Sequence, residues 1–210
     1  MTRADNAARL RRLYAAPELL QLVNVWDVVS ARAVAALPET RAIATAGHSI
    51  AATFGYPDGE IPADLMLDMV GRIAAAVEAI IAAADAEGVP FALNARTDAF
   101  ARGKARPRDV NIADAIERGR AFIDAGATSV FVPGNFGEDV VTELIAGIGE
   151  RRVSLLGFPE IPSPARLQEL GVARVSYGPL TQRVTLGALQ DLATDLYGGG
   201  VPPRGIRPLN

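Results

Sequence analysis

Residues 153–177, Val-Ser-Leu-Leu-Gly-Phe-Pro-Glu-Ile-Pro-Ser-Pro-Ala-Arg-Leu-Gln-Glu-Leu-Gly-Val-Ala-Arg-Val-Ser-Tyr, contain the pattern on which the fold turns. Val153–Leu156 is a short apolar run, too short for a helix and bounded by glycine and proline. Ser163 followed by Pro164 marks a helix start, with the hydroxyl as cap and proline at the first helical position. Gly171 closes that helix, and 173–177 is a second apolar run. A strand, one helix and another strand within so few residues predict a right-handed crossover between parallel strands.

Working outward, the same alternation covers the chain. Strands are expected at 20–25, 42–46, 91–95, 129–132, 153–156 and 173–177, and helices at 30–37, 63–87, 111–125, 138–148, 163–170 and 180–197. The polar segment 1–12 reads as a helix without the apolar core of a secretory signal. Six βα units predict an α/β fold, a TIM-type (β/α) barrel shortened from eight units, in one domain over 1–210. A full barrel needs about 250 residues, and this chain has 210. The long helical pattern from 63 points the same way, since 25 residues would span roughly 37 Å, well beyond the usual three to four turns.

Composition narrows the function. Half of the residues are hydrophobic and the net charge is -3, which gives no electrostatic footprint for nucleic acid. There is no cysteine, so disulfides, thiolate nucleophiles and Cys-based metal sites are excluded, and a cytoplasmic location is compatible. No apolar stretch reaches the length of a membrane span. Walker A, dinucleotide-fingerprint, HExxH and GxSxG motifs are all missing, which argues against nucleotide hydrolases, dehydrogenases, zincins and serine esterases.

In parallel αβ arrays ligands gather at the carboxyl ends of strands, so the polar residues there are the candidates. They are Trp26 and Asp27, the Gly47-His48-Ser49 turn, Arg96 and Asp98, Asn135, Glu160, and Tyr177-Gly178. Asn94, Arg96 and Asp98 alternate and share one face of an extended chain. Arg96 suits a substrate carboxylate, or else forms a structural ion pair with Asp98. His48 is the sole histidine; it fits a general acid or base, or a hydrogen-bonded structural residue. The backbone of 47–49 leads into a short helix and suits an anion. Asp58, in Gly55-Tyr-Pro-Asp-Gly59, reads first as a turn residue, and Asp27 as a helix cap. The basic run 102–108 reads as a solvated loop, and 175–178 resembles a phosphate-binding loop after a barrel strand.

Taken together, Asn24-Val-Trp-Asp27, Ala44-Thr-Ala-Gly47, Gly55-Tyr-Pro-Asp-Gly-Glu60, Asn94-Ala-Arg-Thr-Asp98, Ala125–Gly134 and Leu170–Gly178 resemble the isocitrate lyase / phosphoenolpyruvate mutase family, in family order from about 18 to 197. The resemblance implies a Mg²⁺-dependent lyase- or mutase-type enzyme acting on a small 2-oxo or 2-hydroxy carboxylic acid. C–C or C–P bond chemistry through an enolate is implied, in an oligomer without nucleic-acid or membrane partners. Carried over by position, Ala46, Gly47 and His48 bind the substrate carboxylate, as does Arg96. Trp26 lines the pocket, and Asp58 reaches the metal through water; Arg96, Asp58 and His48 are the catalytic candidates.

The departures are as informative. In relatives the second helix leads to a third strand with paired acidic residues, then to a fourth ending near a glutamate, and these supply the metal site. Here Val77 runs directly into Glu78–Gly88, which resembles the helix before the fifth strand. Roughly fifty residues are absent by comparison with a full barrel, which places a deletion near 77–78. The lyase-type cysteine loop and an asparagine near Ser154 are missing too. The alternative function is therefore a non-catalytic derivative that keeps the fold and a carboxylate-binding rim. Convergence of Asp58, Asp98, Glu160 or Asp27 on one point would favour the enzyme, and a failure to converge would favour the non-catalytic derivative.

Overall fold

The expected alternation of strand and helix is realised in the computed structural model, which describes residues 3–81, 92–102 and 105–207. The elements are α1 (Arg3–Ala15), β1 (Leu20–Val25), α2 (Val28–Ala35), β2 (Ile43–Thr45), α3 (Gly47–Thr53), α4 (Ala63–Ile81), β3 (Asn94–Arg96), α5 (Ala99–Arg102), α6 (Arg108–Asp124), β4 (Ser129–Val132), α7 (Glu138–Ile148), β5 (Val153–Leu156), α8 (Pro164–Glu169), β6 (Arg174–Ser176) and α9 (Leu180–Tyr197). Six strands are present among the described residues, and every strand pairing is parallel. This is the TIM-type α/β fold, shortened to six βα units.

The chain forms two compact units, one of Met1–Leu22 with Ala83–Ser176 and one of Val23–Ala82 with Tyr177–Asn210. In the first, the ladder runs from the start of β1 through β6, β5 and β4 to β3. Val130, Val132, Val153, Leu155 and Val175 alternate onto one face and are essentially solvent-free, packed with Val140, Val141 and Leu144 of α7 and Leu167 of α8. Strands covered this way read as continuous apolar runs, which is why the sequence marks them so sharply. The other face carries Phe131 and Leu156 with a small polar group: the Ser129 hydroxyl donates to Asn94 Oδ1 at 2.6 Å, and Ser154 Oγ lies 3.3 Å from Ser129 Oγ. Arg151 fixes the chain between α1 and β1, its guanidinium donating to the carbonyls of Ala16, Glu18 and Val172.

In the second unit the end of β1 pairs with β2, and Val25, Ala31, Ile50 and Ile73 make the core. Asn24 is 5% exposed inside an apolar strand, so its amide must be satisfied internally. Its Nδ2 donates to the Thr45 carbonyl at 3.2 Å, and its Oδ1 accepts the backbone N–H groups of Tyr177 and Gly178 at 2.8 and 2.7 Å. Gln182 of α9 donates to the Ser49 carbonyl of α3 at 3.2 Å.

Several boundaries move from their sequence expectations, helix α6 among them, which starts at Arg108, three residues early. Helix α2 starts at Val28, two residues early, because Asp27 and Ser30 form a capping box. Strand β3 covers Asn94–Arg96, so Arg96 belongs to the strand and does not merely follow it; Phe91 lies outside the described residues. Helix α4 runs unbroken through 77 and 78 to Ile81, and the rest of the expected helix lies outside the described residues. Sequence reasoning overlooks α5, a single helical turn over Ala99–Arg102.

Candidate functional site

The candidate residues divide between the two units. In the first, Arg96 sits at the carboxyl end of β3, opposite Phe131 in the β4 ladder, with its guanidinium carbon 6.0 Å from that ring's centroid. Arg96 Nε donates to Asp98 Oδ1 at 2.7 Å, as their alternation predicts. The arginine side chain remains 57% exposed, so a guanidinium with a fixed orientation is still open to a ligand. Glu160 does not join a carboxylate cluster; its Oε2 accepts from Asn135 Nδ2 at 2.8 Å.

In the second unit, the turn after β2 carries Ala46, Gly47 and His48. Ala46 is buried and is the N-cap of α3, but no side chain caps that helix. Its first backbone N–H groups are therefore not claimed by the usual oxygen of a serine or aspartate. His48 Nδ1 lies 3.6 Å from Asp58 Oδ2. Asp58 stands in the turn between Gly55 and Gly59, both with positive φ (79° and 82°), where glycine avoids the Cβ penalty. Trp26 is half-buried and lines a cavity of about 460 Å³ with Val29, Val34 and Thr185.

Two candidates have structural work. Asp27 Oδ1 accepts the Ser30 N–H at 2.7 Å, and Ser30 Oγ accepts the Asp27 N–H at 3.1 Å, so this carboxylate caps α2 as expected. The turn at Tyr177-Gly178, which resembles a phosphate loop in sequence, has both backbone donors taken by Asn24. Burial pushes the Tyr177 phenol above its ordinary range. Asn24, Ser129 and Ser154 were not singled out for roles from sequence; polar side chains inside apolar strands were the available signal.

A divalent cation needs several converging oxygens or nitrogens. Among the described residues, no group of three or more histidine, aspartate or glutamate side chains is placed to hold a metal ion. Asp58, paired with one histidine, is a single carboxylate where Mg²⁺ takes about six oxygens, so the described residues do not fit a Mg²⁺ site. No described helix is long and apolar enough to cross a membrane.

Among solved structures, a protein of Burkholderia cenocepacia J2315 named provisionally as a phosphonomutase is 27% identical, with a TM-score of 0.77 over 90% of this chain and 99% of its own. A second from the same organism, named provisionally as a lyase/mutase, is 25% identical, with a TM-score of 0.78 over 93% and 89%. A phosphonopyruvate hydrolase, solved in complex with oxalate and Mg²⁺, shares the fold at 18% identity, with a TM-score of 0.74 over 97% and 93%. No curated protein matches the sequence. The family model for phosphoenolpyruvate phosphomutase matches in two overlapping stretches, 10–87 and 74–197. Nearly the whole chain is covered, and it belongs to the phosphoenolpyruvate phosphomutase family.

Proposed function

We propose that this chain is a lyase- or mutase-type enzyme that takes a small 2-oxo or 2-hydroxy carboxylic acid through an enolate. The observation that carries the reading is Arg96, oriented by Asp98 at the carboxyl end of β3 and still exposed. A fixed guanidinium matches a carboxylate bidentately and holds the acid in one orientation. In the second unit, the Ala46–His48 turn offers backbone N–H groups to an anion, and His48 is the group that moves a proton, its Nδ1 turned to Asp58. The oxalate and Mg²⁺ bound by phosphonopyruvate hydrolase support the substrate class. In such enzymes a divalent cation stabilises the enolate oxygen. The described residues do not fit that cation, so no step here is assigned to it.

That misfit favours a second reading, a derivative that binds the carboxylate without turnover. Support comes from the family model, whose two matches overlap at 74–87, around the junction near 77–78 proposed as the site of a deletion. We further propose that copies associate through α9, where Leu186, Leu189, Leu196 and Tyr197 are exposed. A cytoplasmic location suits the cysteine-free chain.

The test is turnover. Oxaloacetate and phosphonopyruvate are incubated with the protein and Mg²⁺, with and without chelator, and followed by proton and phosphorus NMR. The enzyme reading expects protein-dependent loss of one of them, falling at least tenfold in Arg96→Ala. Binding of these acids without any turnover selects the second reading, and neither binding nor turnover overturns both.

A further inference from the structure

A cavity of about 710 Å³ opens at the carboxyl ends of β4 and β5, within the first unit. Phe100 of α5, Phe136 from the β4–α7 connection, Phe158 after β5 and Leu156 line it. The rings of Phe100 and Phe136 stand 4.5 Å apart, centroid to centroid, with planes tilted by 60°. That arrangement leaves an aromatic corner into which a further ring can pack edge-on. Gly134 makes the corner possible, because a β-carbon there would fall 2.1 Å from the Phe136 ring. The polar groups are few. Arg108, at the start of α6, pairs with Asp139 in the first turn of α7, and Asn135 donates to Glu160.

An aromatic lining with a few oriented polar groups, at this volume, is the build of a small-molecule site. We propose that the cavity binds an aromatic monocarboxylate, its ring among Phe100, Phe136 and Phe158 and its carboxylate on Arg108. The guanidinium has five N–H donors in a planar fork, more than Asp139 uses. Both members of the Arg108–Asp139 pair are well exposed, and exposed pairs of this kind add little to stability. A ligand carboxylate therefore competes with Asp139 for the guanidinium, and displacing that exposed partner costs little. The ligand exceeds a two- or three-carbon acid in size, and its site uses none of the residues assigned above to carboxylate chemistry.

The probe is 3-phenylpropionate, titrated calorimetrically into the full chain alongside propionate and 3-phenylpropan-1-ol. The phenyl acid is expected to bind at least tenfold tighter than either control, since it alone satisfies both the ring and the guanidinium. Arg108→Gln, at an exposed position, should lower its affinity to that of the alcohol. Phe158→Ala should weaken it about tenfold, the size of one lost aromatic contact. Arg96→Ala should leave it within twofold. Equal affinity for propionate, full affinity in Arg108→Gln, or loss of binding in Arg96→Ala would each overturn the assignment.

Discussion

Asp27 and Arg166 show how single side chains set local behaviour in this chain. Asp27 spends its carboxylate on the first turn of α2, reciprocated by Ser30. Asp27→Ala should therefore cost about 1 kcal/mol in chemical denaturation, and Asp27→Asn much less, because asparagine also caps. Arg166 donates from Nε to Glu138 at 3.0 Å and from Nη1 to Glu169 at 2.7 Å. Its hydrogen bonds hold the Glu138 carboxyl below the ordinary glutamate range and raise the guanidinium's own pKa. The folded form of Glu138 thus releases its proton more readily than the unfolded form. The associated stability is present above the ordinary glutamate pKa and fades as pH falls through the depressed one. Arg166→Gln should accordingly be less stable than the parent at neutral pH, with the gap closing in thermal melts taken as pH falls below the ordinary glutamate range. At this scale the sequence is readable where chemistry is local. Ser163 as a cap, Asp27 as a cap and Arg96 with Asp98 follow from spacing of three residues or fewer. Asn24 is not readable in this way, because its partners Tyr177 and Gly178 lie far along the chain and only the folded ladder brings them near.

Strands are legible in proportion to their length. Strands β1, β4 and β5 match their apolar runs end to end, since both faces of a parallel strand leave few polar residues to blur the edges. Strands β2, β3 and β6 are only three residues long: β2 and β6 lose a residue at each end of their runs and β3 ends one residue beyond its run, because a short ladder ends where its partner ends. Helix α9 was read correctly from Leu180 to Tyr197, yet its outward face carries Leu186, Leu189, Leu196 and Tyr197, the last 92% exposed. Polar residues would be the ordinary choice for a solvated helix face. If α9 is the association surface, Leu189→Glu should move the protein to a smaller species by light scattering at high concentration while its helical circular dichroism stays unchanged. A parent protein that is monomeric at that concentration contradicts the association.

At the scale of the whole chain, family membership rests on a family model that matches 10–87 and 74–197. Chain length against the barrel's needs and the overlong helix both signalled a shortened fold, and α4 does pass without a break through 77 and 78. What length and pattern could not reveal was the arrangement of acidic side chains, which depends on the geometry of loops. Asp58 faces His48, Glu160 faces Asn135 and Asp27 faces Ser30, so each acid is occupied by its own neighbourhood. The central claim is that carboxylate recognition by Arg96 survives in this chain. It is tested most directly by thermal unfolding with oxalate, with and without Mg²⁺, in the parent and in Arg96→Ala. Oxalate at a hundred times its Kd should add about 2.7 kcal/mol, a rise in Tm of roughly 5–10 °C, in the parent. The same oxalate should produce little or no rise in Arg96→Ala. An unshifted parent, or an equal shift in the variant, would contradict the claim.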